Sequence, residues 1–105
     1  MIKIDLSGQN FTNFSLKEFC KENNIALEKI KELDLSYNKL ESFELPKECI
    51  KLIGLSLSNN KLKTFKLPKE CINLECLWLY NNKLKSFELP KECKKIETLI
   101  FLTIN

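Results

Sequence analysis

Leucines recur along this chain at a fixed interval. Leu33, Leu55, Leu77 and Leu99 lie 22 residues apart, as do Ile30, Leu52, Leu74 and Ile96, and as do Cys49, Cys71 and Cys93. A regular period of this length predicts a stacked solenoid, in which each unit of chain completes the core of its neighbour. Within each period the pattern alternates as a short strand does. In Leu55-Ser56-Leu57 and Leu77-Trp78-Leu79 the leucines face inward and the residue between them faces out. Successive strands then lie side by side at about 4.8 Å. The connection between them is too short for a standard crossover helix. Leu62, Phe65 and Leu67 in one repeat, and Leu84, Phe87 and Leu89 in the next, fill it and turn toward the same core. Pro46, Pro68 and Pro90 recur once per repeat. They fix φ and forbid continued strand pairing on the return side.

One segment breaks the period: Cys20 and Cys49 are 29 residues apart, against 22 elsewhere. Ser15-Leu16-Lys17-Glu18 has the form of a capping box. Leu16, Phe19 and Cys20 give one apolar face. These signals predict a short helix over about residues 16–22, ended by Asn23-Asn24 and covering part of the apolar core near the N-terminal end.

Residues 52–62, LIGLSLSNNKL, and 74–84, LECLWLYNNKL, fit the pattern L-x-x-L-x-L-x-x-N-x-L, and 30–40, IKELDLSYNKL, fit it with Ile first. The chain therefore resembles the leucine-rich repeat family, and the resemblance covers nearly all of it. Met1, Ile4, Leu6, Gln9 and Phe11 form a degenerate first copy. Residues 96–105, IETLIFLTIN, begin a fifth with Ile96, Leu99 and Phe101, where Ile104 stands in the asparagine column. The expected fold is α/β: a leucine-rich repeat solenoid with a short curved parallel β-sheet, an irregular or 3-10 convex side and one short N-terminal helix. Residues 1–105 are expected to form a single domain of about four repeats plus a partial fifth. Gln9, Asn38, Asn60 and Asn82 are expected to turn inward as one ladder that holds backbone groups in the bend after each strand. Leaving such groups unpaired costs about 1–3 kcal/mol each.

The resemblance also implies which side chains stand on the concave face. They are Lys3, Asp5, Ser7 and Gly8 from the first strand, then Glu32, Asp34, Ser36 and Tyr37. The third offers Gly54, Ser56, Ser58 and Asn59, the fourth Cys76, Trp78, Tyr80 and Asn81, and the fifth Thr98, Ile100 and Leu102. Trp78 and Tyr80 are out of phase with the flanking leucines, so the solenoid core does not account for them. Aromatics presented in this way favour interfaces. Tyr37, Trp78, Tyr80, Ile100 and Leu102 are therefore the candidate partner-binding residues, with Lys61 and Lys83 from the lysine column Lys39, Lys61 and Lys83 at the rim.

Composition narrows the chemistry. The chain has no histidine, so neither a histidine base nor a Cys-His pair is available. A structural zinc site needs thiolates converging from closely spaced pairs, whereas Cys49, Cys71 and Cys93 are strung along the stack, with Cys20 in the equivalent place. They read as a column of small buried hydrophobes, with a disulfide as the alternative. Cys76 falls at the start of a strand on the open face. No catalytic residues, metal site or cofactor are expected. A net charge of +3, without arginine, is too modest to argue for nucleic acid, although lysines beside aromatics leave single-stranded nucleic acid as a minor alternative. No stretch approaches the roughly 20 apolar residues that span a bilayer, no signal peptide is visible, and five cysteines, an odd number, favour a reduced, cytoplasmic chain.

The expected function is a non-catalytic module that binds a protein partner through the concave face. The apolar groups on both strand faces of residues 96–105 predict a bare edge. They support the alternative of a self-associating building block, a homo-oligomer joined through the C-terminal edge strand.

Overall fold

The computed structural model describes residues 1–100, of which the side chains of Leu99 and Ile100 fall outside the description. Leu102, one of the candidate binding residues, lies outside the described residues altogether. Five strands form one parallel sheet in chain order: β1 (Ile2–Asp5), β2 (Ile30–Asp34), β3 (Gly54–Ser56), β4 (Cys76–Trp78) and β5 (Thr98–Ile100). The register follows the sequence period. Leu33 pairs with Leu55, Leu55 with Leu77, and Leu77 with Leu99. The register slips by one residue at the start of the first pair, between Ile2, opposite Ile30, and Lys3, opposite Glu32.

The inward leucines make the core. Leu35, Leu55, Leu57, Leu77 and Leu79 are fully buried, with Leu33 nearly so. Burying one such side chain contributes about 1.5–3 kcal/mol, so the sum over the stack dominates every other favourable term. The stack is also tied coil to coil by backbone bonds that continue past the strands. Leu35 donates to Ser56 and Leu57 to Trp78, both at 2.9 Å, while Tyr37 donates to Ser58 and Asn59 to Tyr80, both at 3.0 Å. On the entry side Glu75 donates to Ile53 at 2.8 Å and Glu97 to Glu75 at 2.9 Å.

The return segments are turns. The carbonyls of Pro46, Pro68 and Pro90 accept from the N–H of Cys49, Cys71 and Cys93 at 3.1, 3.1 and 3.0 Å, so one turn is built three times. The longer first return holds helix α1 (Leu16–Glu22) and a 3-10 turn at Leu27–Lys29. Local signals set the ends of α1. The Ser15 hydroxyl accepts from the Glu18 N–H at 3.3 Å, and Asn23 closes the last turn by donating to Phe19, from its backbone at 3.1 Å and from its side chain at 2.8 Å. Leu16 and Cys20 are buried in the common core. Phe14 stands between Phe11, at a ring-centroid distance of 5.0 Å, and Phe43, at 6.4 Å.

Asparagines fill the bend after each strand. The Asn60 Oδ1 accepts from the Leu40 N–H at 3.0 Å, while its Nδ2 donates to Leu35 and Leu57, each at 3.0 Å. Asn82 repeats this with the Leu62 N–H at 2.9 Å and the Leu57 and Leu79 carbonyls at 2.9 and 3.1 Å. The Asn38 Oδ1 accepts from both Gln9 and Phe11 backbone N–H groups at 3.0 Å. Each asparagine thus serves its own coil and the coil before it. Gln9 departs from the expected ladder: its side chain is exposed and donates locally to the Ser7 carbonyl at 3.0 Å. No described coil precedes the first one, so Gln9 has no earlier bend to serve, and its longer side chain turns outward.

The residue just before each ladder position takes a left-handed backbone: Gly8 at φ 64°, Tyr37 at 58°, Asn59 at 58° and Asn81 at 53°. Glycine adopts this region freely and asparagine tolerates it, whereas tyrosine resists it.

Cys49 and Cys71 are fully buried, and Cys20 and Cys93 nearly so; all are free thiols. The Cys71 Sγ donates to the Cys49 carbonyl at 3.6 Å. Burial, reinforced by neighbouring thiols, pushes both Cys49 and Cys71 up to about 12. These thiols stay protonated in the native state while the unfolded chain ionises them from about pH 9.

The packing makes three predictions. Asn60→Ala leaves the buried Leu40 N–H unpaired, while the Leu35 and Leu57 carbonyls keep their bonds from Asn38 and Asn82, and it lowers stability by about 1–3 kcal/mol in urea unfolding. Ser58→Ala, which removes a buried hydroxyl that has no hydrogen-bond partner, leaves stability unchanged or raises it. Stability falls as pH rises from about 9 toward about 12, and Cys71→Ala makes that fall shallower.

Candidate functional site

The strand register aligns two rows of residues that alternate with the core leucines. One row runs Lys3, Glu32, Gly54, Cys76, Thr98; the next runs Asp5, Asp34, Ser56, Trp78, Ile100. Both rows change character across the sheet. Asp5, Glu32 and Asp34, together with Lys3, occupy β1 and β2, the smallest residues occupy β3, and a thiol and an indole occupy β4.

The acidic end is held in place by short local bonds. The Asp34 Oδ1 accepts from the Ser36 N–H at 2.9 Å and from the Ser36 hydroxyl at 2.5 Å. Asp5 does the same with Ser7, at 3.0 and 2.7 Å. The backbone bond from Ser7, followed by the bond from its hydroxyl, holds the Asp5 carboxyl below the usual range. Asp5 is therefore ionised at neutral pH. Lys3 Nζ lies 3.3 Å from Glu32 Oε2. The third coil has Ser56 where the first two have aspartate, and the Ser58 hydroxyl there is buried without a partner.

Between the acidic strands and β4 lies a hollow of about 380 Å³ with Gly54 in its lining. Asp5, Glu32 and Asp34 line it from β1 and β2, and Cys76 and Trp78 line it from β4. A Cβ at Gly54 would meet only Glu32 Cγ, at an ordinary 3.6 Å. The space above this glycine is open, and the absent side chain is what makes the hollow.

Trp78 and Tyr80 are half-buried and stand outside the leucine core. Tyr37 is 64% exposed. Tyr37 and Tyr80 belong to coils separated by the third, so two strand spacings, roughly 10 Å, lie between their backbones. Cys76 is half-buried on β4 beside Gly54. Lys61 and Lys83 are exposed. Lys83 does not join Trp78. It lines a separate groove over Phe65 and Phe87 with Lys63, Lys66, Lys85 and Lys91, and this groove shares no lining residue with the hollow. Ile100 is placed by its backbone in β5, opposite Trp78. Sequence reading had placed Gly54 on this face without giving it a role. The missing signal is spatial, since its neighbours Asp34 and Trp78 lie far off in the chain.

No helix among the described residues is long and apolar enough to cross a membrane. Comparison with curated proteins finds no match. Two family models do match. The leucine-rich repeat model covers residues 29–52, and the model for two copies of leucine-rich repeats covers residues 50–91. Repeats of this family typically serve as non-catalytic modules for protein–protein interaction. Jointly the two matches span residues 29–91, more than half of the 105, and follow the observed coils; the chain belongs to the leucine-rich repeat family.

Proposed function

We propose that this chain is a non-catalytic binding module that engages a protein partner through the open face of its sheet. The observation that carries the reading is the pair Trp78 and Tyr80, half-buried and outside the leucine core. Tyr37 adds to it. At φ 58° the backbone there favours glycine or asparagine, and the ring is exposed. Neither burial nor local conformation accounts for a tyrosine at this position, whereas contact with a partner does. Ile100, Leu102, Lys61 and Lys83 are further candidate contacts on the grounds of the sequence. We read the stack as a shallow solenoid whose sheet forms its concave side. The five free thiols fit a reducing, cytoplasmic setting.

A second reading is supported by β5. Among the described residues this strand pairs with β4 alone, which leaves its other edge for another chain. Self-association through that edge makes the module a building block.

Affinity capture with the intact chain, set beside the Trp78→Ala/Tyr80→Ala double variant, separates the two. Partner capture is lost in the double variant while the solution mass stays the same; capture that survives the change overturns the face assignment. Sedimentation across dilution tests the second reading, which a monomer at high micromolar concentration refutes. Tyr37→Asn raises stability by about 1 kcal/mol through relief of the left-handed backbone and weakens partner capture.

A further inference from the structure

We propose that the hollow over Gly54 receives a cationic side chain, arginine or lysine, from the bound protein partner. This rests on the open face being the binding surface and names the chemistry that the face selects.

Charge complementarity supports it. Asp5, Glu32 and Asp34 line the hollow against one ammonium, that of Lys3. Lys3 is taken up by Glu32 at 3.3 Å, so the two aspartates have no cation of their own among the described residues. Both bonds that Asp34 accepts fall on Oδ1, and both that Asp5 accepts fall on Oδ1 as well. Each carboxylate is oriented by its serine and keeps a second oxygen for an incoming donor. A preorganised carboxylate pair favours a planar fork of N–H donors, which makes arginine the better occupant.

The opposite wall complements the stem and the face of that group. Trp78 is aligned with Ser56, and Ser56 with Asp34, so an indole and a carboxylate flank one small residue. A guanidinium resting on the indole gains cation–π attraction while its alkyl stem covers apolar surface. Size agrees with this occupant. About 380 Å³ is near the lower end of the roughly 300–1,000 Å³ found for small-molecule sites, and it suits one or two side chains. Gly54 supplies the depth, since any larger residue would occupy the space.

The test uses the intact, isotopically labelled chain titrated at low salt with Nα-acetyl-arginine amide, with Nα-acetyl-glutamine amide as the uncharged control. The expected result is saturable shifts at the Gly54 amide and the Trp78 indole N–H with the arginine probe and none with the glutamine probe. Asp34→Asn, which keeps the Oδ1 acceptor for Ser36, weakens the arginine response about tenfold. Gly54→Leu abolishes it, and amide dispersion confirms that this variant is folded. Equal shifts with both probes, no saturation, or an unchanged response in Asp34→Asn overturns the proposal. If partner capture is lost in the Trp78/Tyr80 double variant but arginine leaves Gly54 unmoved, the open-face reading stands and the cation pocket falls. If capture also survives that double variant, both fall.

Discussion

The architecture depends on how the bend after each strand satisfies its own backbone. A chain that turns inward-facing leucines back toward a core exposes amide and carbonyl groups to that same core. Leaving them without partners costs about 1–3 kcal/mol each, comparable to the gain from one buried leucine. Asn60 resolves this with a single side chain. Its oxygen takes the Leu40 N–H of the preceding coil, and its nitrogen reaches carbonyls of both coils. The leucines supply the driving force, but the asparagines let the coils stack at strand spacing without orphaned polar groups.

The same period has a second consequence. Residues that alternate with the core leucines are placed in register on one face, whatever their chemistry. Register alone sets Asp34, Ser56 and Trp78 in one row. Core packing therefore constrains one half of each strand and leaves the other half free to vary. The exposed half changes from carboxylates through Gly54 to an indole over three neighbouring strands, and this gradient gives the face a direction. The lysine-lined groove over Phe65 and Phe87 lies elsewhere and has the opposite sign.

Much of the fold was legible because its signals are either local or periodic. Helix α1 begins after Ser15 and closes at Asn23, where capping chemistry within a few residues decides the matter. The core columns followed from the 22-residue interval. The buried cysteine column followed too, since a small apolar side chain between leucines reads as core. Gln9 was misread because column membership does not tell whether a coil lies beneath. Its backbone is served by Asn38 from the next coil, and its own amide bonds locally to the Ser7 carbonyl. The left-handed column at Gly8, Tyr37, Asn59 and Asn81 was not anticipated, because a tyrosine in the series hides the backbone requirement that glycine and asparagine would reveal.

The sequence by itself determined the repeat, the inward and outward positions, the helix and the kinds of side chain on the open face, since each of these is written in spacing or in short-range chemistry. The tertiary structure decided which outward residues meet. Gly54 becomes the floor of a hollow only when Asp34 arrives from one coil and Trp78 from another. That meeting depends on hydrogen-bonded register between segments distant in the chain. No local pattern encodes it, because the energy that fixes it belongs to pairs of coils and not to any one of them.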